Sequence, residues 1–432
     1  MKFKLFTVLL SCTLVLSGCS TLQKTLSKGL VNPTTSFEAQ GKTVSDAVMS
    51  DAIAMSIKGS NQIGYNLVKD MSKNSSADNT LLSPMSLSFA LAMVQNGANG
   101  ETRNGIFTAM QDSDPNINSR FNTLLNYFDQ LSSEEKKDSS DASPIMTLNI
   151  ANSFWFKADI SPKQDFVNTL KASYDAEVYQ TNFNDPKTVD QINQWVEEKT
   201  NHLLKDTLAQ INPNTIAFLM NTVYFKGNWV KTFDAFQTTQ KPFNVSASET
   251  VKVDMMHQEN NFEYFEDEST QIAGMPYYGG STMYVLLPKK NIETFINASS
   301  YDDIVTKIDG AKKNSSRLTM DFPKFQYEAT NQLKDPLSLA GMETAFSSEN
   351  ADFSNMIEMS NENVYISDLF QNTSITVDEK GTEAAAVTVV EMGVTSIPVD
   401  ESKVFNCNRP FMFVIQENQT GAILFIGVVK HP

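Results

Sequence analysis

The sequence predicts an α+β fold in one large domain. Three observations carry this expectation. Helical spacing dominates the chain after its amino-terminal stretch, strand-like runs come between and after, and no internal repeat or second linker divides them. The length of 432 residues would allow three small domains or one large one at about 150 residues each. With 41% hydrophobic and 19% charged residues the composition is that of a globular protein with a sizeable core.

The elements follow in order. Lys2 and Lys4 give a positive start, and Leu5 to Leu16 is an apolar run too short to span a bilayer. Ser17, Gly18 and Cys19 follow, completing the pattern of a secretory signal. The run Leu16-Ser17-Gly18-Cys19 also resembles a bacterial lipoprotein signal, in which the Cys becomes the lipidated first residue. The alternative is a plain signal with an incidental Cys. Residues 1–18 are read as a lipoprotein signal peptide and 19–43 as a lipidated tether. The tether is polar, with Gly29, Pro33 and Gly41 and no sustained period, although a short frayed helix over 21–28 also fits. Several acyl chains on Cys19 would anchor the chain to a membrane, because each buried CH₂ contributes ~0.8 kcal/mol and one chain alone is marginal. The signal implies secretion across the inner membrane, and in a Gram-negative cell the lipoprotein resemblance, with Ser20 rather than Asp after that Cys, implies anchoring at the outer membrane or cell surface.

Residues 44–432 form the domain. Ser83-Pro84 starts a helix, with Ser as cap and Pro in the first turn. Leu87, Leu91 and Val94 recur at helical spacing, and Gly97 and Gly100 stop the run. Residues 132–143 read as a charged surface loop. Asp185-Pro186 opens another helix with Val189, Ile192 and Val196 on one face. Strands are expected at Thr147–Phe156, Ile216–Phe225, Arg317–Phe322, Val364–Val377, Phe411–Ile415 and Ala422–Val429.

Charge and side-chain inventory narrow the function. Fifty Asp plus Glu against 34 Lys plus Arg give a net charge of −16, and loss of Lys2 and Lys4 with the signal would take it to −18. This argues against nucleic acid as a partner, since phosphate contacts need clustered Lys and Arg, and against a broad basic site for a heparin-like cofactor. The scattered acids read as a solubilising surface. Cys12 leaves with the signal and Cys19 with the lipid, so Cys407 is the remaining thiol and no intrachain disulfide is expected. His202, His257 and His431 lie far apart without zinc-binding spacing, and there is no CxxC pair, so no metal is expected. Cys407 has no neighbouring His and reads as a buried structural thiol. No GxSxG elbow, Walker loop or GxGxxG occurs. Nothing favours a catalytic triad, which would assemble only in space. No cofactor is expected, and the chain does not read as an enzyme.

The strongest local signal is Asp378 to Pro398. It follows the alternating run Ser374-Ile375-Thr376-Val377 and is rich in small and β-branched residues. Read with period two, Thr382, Ala384, Ala386, Thr388, Val390 and Met392 share a face without charge, while Glu383 and Glu391 fall on the other. Such a strand can bury one side in a sheet and wet the other. An ordinary core strand continuing from 377, or a short Ala-rich helix over 382–386, are the alternatives. Gly381 permits a backbone bend before the segment.

Over about residues 45–432 the sequence resembles a serpin. The resemblance rests on several long motifs in order. They are Asn79-Thr80-Leu81-Leu82-Ser83-Pro84-Met85-Ser86, Asn221-Thr222-Val223-Tyr224-Phe225-Lys226-Gly227-Asn228-Trp229, Glu379-Lys380-Gly381-Thr382-Glu383-Ala384-Ala385-Ala386, and Asn408-Arg409-Pro410-Phe411-Met412-Phe413 through Gly427-Val428-Val429. It implies about nine helices around three β-sheets, with an exposed reactive centre loop at about 380–400.

The resemblance also implies a mechanism. A protease cuts the loop and forms an acyl-enzyme, the loop inserts as a new strand in the central sheet, and the protease is dragged along and distorted. The uncleaved fold is then metastable behind a kinetic barrier. Glu379, Gly381, Thr382, Glu383, Ala384, Ala385 and Ala386 form the hinge, whose inward residues must be small and uncharged. Val387 replaces a smaller family residue but lies on the outward face. The fourteenth residue after Gly381 is Thr395, so the bait bond is Thr395–Ser396, with cuts at Val394, Ser396 or Met392 as alternatives. No Lys or Arg occurs from Gly381 to Ser402, which disfavours trypsin-like targets. The expected partners are elastase-like or subtilisin-like serine proteases, with papain-like cysteine proteases as a further class. Ser83, Ser86 and Asn221 match the polar cluster that controls sheet opening, with Gln371 where the family often has His. Lys324 and Glu379 match a pair at the top of the sheet, and Trp229 packs over the same region. The expected working form is a monomer. The alternative is a non-inhibitory serpin-fold protein acting in binding or surface interaction.

Overall fold

In a computed structural model the described residues are 50–74, 79–133, 146–212, 215–357, 364–367, 369–382 and 402–432. Among them are nine α-helices: α1 (Asp51–Asn74), α2 (Pro84–Val94), α3 (Gly100–Met110), α4 (Ile117–Ser133), α5 (Gln164–Tyr174), α6 (Pro186–Lys199), α7 (Ile292–Ala298), α8 (Tyr301–Lys312) and α9 (Lys334–Leu337). The strands are β1 (Thr80–Leu82), β2 (Met146–Lys157), β3 (Glu177–Thr181), β4 (Ala217–Asn228), β5 (Thr239–Asn244), β6 (Thr250–Glu266), β7 (Thr270–Pro276), β8 (Ser281–Pro288), β9 (Ser315–Pro323), β10 (Phe325–Gln332), β11 (Phe370–Val377), β12 (Gly381–Thr382), β13 (Lys403–Asn406), β14 (Phe411–Glu417) and β15 (Ile423–Val429).

The predicted helix starts are present. The Ser83 side chain accepts from the Ser86 N–H at 3.4 Å with Pro84 first in α2, and Asp185 accepts from the Lys187 N–H at 3.0 Å with Pro186 first in α6. Every residue of α2 is buried, as expected of a helix that is hydrophobic all round and runs through a core. Ile192 and Val196 of α6 join Trp155, Trp195 and Met220 in a satellite core. The role expected of Gly100 is corrected. The helix ends at Val94, with Gln95 as its C-cap, and Gly100 opens α3 at φ +50°, in the left-handed region that suits glycine.

The central sheet has six strands in the order β10-β11-β12-β4-β2-β3. A second network runs β1-β15-β14-β8-β7-β6-β9-β13, with β5 paired on β6. The 17-residue β6 joins its two parts. Its first residues pair with β5, its middle with β9 and its end with β7, so neighbouring groups of strands share one continuous ladder. The strand expected over Val364–Val377 begins only at Phe370. Before it the backbone bonds elsewhere: the Ile366 N–H donates to the Ala345 carbonyl, and the Leu369 carbonyl accepts from the Leu333 N–H.

Candidate strand-insertion site

Strands β4 and β11 flank the site. The two-residue β12 sits between them, with Thr382 opposite Val377 of β11 and Gly227 of β4, and Gly381 opposite Asn228. It is antiparallel to both, so β4 and β11 run parallel to each other. Below this rung no ladder joins β4 directly to β11 among the described residues. Strand edges of this kind can accept a further strand.

A tight turn makes the rung. The Asp378 carboxylate accepts from the N–H groups of Lys380 (2.8 Å) and Gly381 (3.3 Å), and the Asp378 N–H donates to the Gly381 carbonyl (2.9 Å). Three carbonyls of the turn are taken by the chain that leaves β4. The Trp229 indole N–H donates to Asp378 O (2.9 Å), the Trp229 backbone N–H to Lys380 O (2.7 Å), and the Phe233 N–H to Glu379 O (2.8 Å). A Cβ on Gly381 would collide with the Gly227 carbonyl oxygen and stand 2.8 Å from the Asn228 Cα, so only glycine lets the returning backbone approach β4 this closely.

Glu379 bridges the top of the sheet. Its carboxylate accepts from Lys324 Nζ (2.9 Å) and from the Thr238 hydroxyl (2.8 Å). Burial alone would raise the Glu379 carboxyl, but the bonds from Lys324 and Thr238 outweigh it and hold the group below the usual carboxylate range. The same bond to Glu379 raises the Lys324 ammonium.

Thr382 is 2% exposed, and its Oγ1 lies 2.6 Å from the Tyr277 hydroxyl. Tyr277 stacks on Trp229 with ring centroids 4.2 Å apart and planes at 15°, and meets Phe225 edge-on at 5.3 Å. Burial drives the Tyr277 hydroxyl well above its ordinary value, and the bond from Thr382 offsets this only in part.

A second polar cluster lies on α2 beneath the sheet. Gln371 Nε2 donates to the Ser83 carbonyl (3.0 Å), and Gln371 Oε1 accepts from the Ser83 N–H (2.8 Å). The Ser86 hydroxyl donates to Asn221 Oδ1, and Asn221 Nδ2 donates to Asn152 Oδ1 (2.7 Å). The line of bonds runs from β11 through α2 to β4 and on to β2. Both flanks of the slot are thereby tied to one buried helix.

The structure thus brings Trp229, Lys324, Glu379, Gly381 and Thr382 into one cluster, and Ser83, Ser86, Asn221 and Gln371 into another. Glu383, Ala384, Ala385, Ala386, Met392, Val394, Thr395, Ser396 and Cys19 lie outside the described residues. The sequence reading missed Tyr277, Thr238, Asp378 and Asn152. Asp378 carried a signal, as an Asp opening a turn before Gly381, and Asn152 carried another, as an amide within a strand pattern.

Known proteins resemble the chain along most of its length. It matches the Serpin (serine protease inhibitor) family over residues 58–432. An uncharacterized serpin-like protein of Thermococcus kodakarensis is 31% identical over 412 residues, covering 93% of this chain and 91% of that one. Alpha-1-antiproteinase S of Cavia porcellus is 31% identical over 376 residues, covering 85% and 88%. Among solved structures, the thermophilic serpin Tengpin in its native state superposes with a TM-score of 0.75 at 30% identity, covering 91% of this chain and 96% of that one. With an insertion slot headed by a glycine hinge, a polar clamp beneath it and similarity along nearly the whole domain, the chain belongs to the serpin family.

Proposed function

We propose that this serpin is inhibitory, a suicide substrate for endopeptidases of the elastase-like and subtilisin-like classes, with papain-like cysteine proteases as a further class. One observation carries the reading. Thr382, the first residue after the hinge glycine, already pairs as a strand between β4 and β11, which no backbone ladder joins directly among the described residues. In the proposed sequence of events the protease nucleophile attacks the Thr395 carbonyl. The bond to Ser396 breaks, the amine of Ser396 leaves with a proton, and the acyl-enzyme remains. The segment beginning at Thr382 then extends β12 down the slot and carries the protease with it. Small, uncharged residues at Thr382, Ala384 and Ala386 suit that burial.

The deciding experiment incubates the protein, without residues 1–18, with a panel of elastase-like and subtilisin-like proteases. A covalent complex that survives SDS supports inhibition. Cleavage of the loop without complex by every protease tried overturns it. We further propose that the working form is a monomer, anchored through lipid on Cys19 at the outer membrane or cell surface. Cys19→Ser should then abolish palmitate labelling and move the protein to the soluble fraction.

A further inference from the structure

We propose that Tyr277 is a positioning residue for strand insertion: its hydroxyl latches Thr382 as a preformed first rung of the central sheet in the uncleaved chain. The proposal rests on the inhibitory reading above. Tyr277 lies just after β7, outside the strands, and bridges to Trp229 just after β4, so it stands at the seam between the nine-stranded network and the central sheet. Its ring is fixed from several sides. Trp229 stacks on it, Phe225 meets it edge-on, and Gly227 leaves it room, since a Cβ there would stand 2.8 Å from the Tyr277 ring. Its backbone is fixed as well, through a bridge to Trp229 and a 2.8 Å bond from the Tyr277 N–H to the Ser281 carbonyl. The hydroxyl is buried with the ring, and a buried phenol needs a partner. That partner is Thr382 Oγ1 at 2.6 Å.

The consequence is kinetic. Adding a strand costs most at its first rung, when chain entropy is lost before ladder bonds accumulate. With Thr382 held in register by the Tyr277 hydroxyl in addition to its backbone pairing with β4 and β11, the cleaved loop extends an existing rung. Insertion competes with hydrolysis of the acyl-enzyme, so the latch favours trapping over release.

The test compares the full chain with Tyr277→Phe, which keeps the ring stack and removes only the hydroxyl, and with Thr382→Val and Thr382→Ser. Two readouts are used. Hydrogen exchange by mass spectrometry follows the peptide that contains Asp378–Thr382. The stoichiometry of inhibition of subtilisin follows the partition between trapping and release. We expect Tyr277→Phe and Thr382→Val each to speed exchange, and to raise the excess of the stoichiometry over one, by roughly fivefold, the ratio one ordinary hydrogen bond carries. The double variant should be no worse than either single one, and Thr382→Ser should behave as the parent. Parent-like exchange and stoichiometry in both hydroxyl-deleting variants, or additive effects in the double variant, overturn the latch. If Tyr277→Phe does not fold, Thr382→Val removes the same bond from the loop side. If the parent chain forms no complex with any protease, the inhibitory reading fails while the exchange arm still decides whether the latch exists.

Discussion

Gln371 and Ser83 hydrogen-bond each other twice, the Gln371 side chain taking the Ser83 N–H at 2.8 Å and giving its own N–H to the Ser83 carbonyl at 3.0 Å. One strand beside the slot is thus fastened to the cap of α2. On the other side Ser86, in the first turn of the same helix, donates to Asn221 of β4. To part β4 from β11, one of these two fastenings must break.

Gln371→Ala should therefore lower the barrier to sheet opening. The substitution leaves the buried Ser83 N–H without its partner, at a cost of about 1–3 kcal/mol. The Ser83 carbonyl keeps its bond from the Leu87 N–H, so α2 itself should persist. The expected outcome is faster spontaneous loop insertion at constant temperature, followed on native gels. An unchanged conversion rate would show that the clamp does not gate the slot.

The clamp contains no titrating group, since Ser83, Ser86, Asn152, Asn221 and Gln371 are neutral at every physiological pH. Opening of the sheet should be flat between pH 6 and 8 in the parent, and Gln371→His should add a step near the imidazole value of roughly 6.5. The sign follows from burial, which lowers the folded value of the introduced His. Its stabilising neutral form holds above that range and is lost as pH falls through it. Conversion rates of parent and variant across this window check the prediction, and a pH step in the parent would contradict it.

The bond between Lys324 and Glu379 has a different window. Glu379 is held below its ordinary value of 4.5, so its contribution is present above that value and is lost as pH falls through the lowered one. Lys324 is held above its ordinary value of 10.5, so its contribution is present at neutral pH and is lost only as pH rises through the raised one. The pair is fully formed across neutral pH and weakens in acid. Lys324 is partly exposed, which keeps the net contribution near that of a surface pair, about 0–1 kcal/mol, so the effect should appear in conversion rate more than in total stability. Parent protein should convert faster below about pH 4, and Glu379→Gln should convert at a raised rate that no longer shows this acid step. An acid step of the same size in the variant would assign it to another carboxylate.

How much of this was legible in the sequence follows from where each partner sits. Gly381, Thr382 and Glu379 lie in one short motif, and Trp229 closes another, so local pattern was enough for them. Tyr277 was not legible, because it reaches Thr382 across 105 residues from just beyond β7 and reads locally as an aromatic before the turn at Tyr278-Gly279-Gly280. Asn152 meets Asn221 only through the register that sets them opposite each other on β2 and β4. The run from Val364 to Leu369 reads as a strand because it opens on the β-forming residues Val364-Tyr365-Ile366, yet its backbone bonds go to Ala345 and Leu333, and propensity alone cannot say which partner the backbone finds. Gly100 was read as a stop because glycine ends and begins helices with the same freedom of φ.

On the proposed inhibitory reading, Thr382→Arg should turn the protein from inhibitor into substrate. The Thr382 side chain is enclosed by β4, β11 and the Tyr277 ring, and its hydroxyl already has a partner. Among groups hydrogen-bonded in this pocket none is an anion that could pair a guanidinium; Glu379 nearby is already held by Lys324 and Thr238. An unpaired charge forced into this space costs several kcal/mol. Each 1.36 kcal/mol on the barrier slows a step tenfold, so insertion would slow by at least about a hundredfold. Hydrolysis of the acyl-enzyme occurs at the protease and is untouched by the substitution, so release should win over trapping. The variant should be cleaved at the same loop bond as the parent, leave free active protease, and give no SDS-stable complex. It should also lack the rise in melting temperature that the proposed loop insertion would give the cleaved parent. Retained inhibition in Thr382→Arg would mean that insertion does not begin at Thr382, and would move the hinge register.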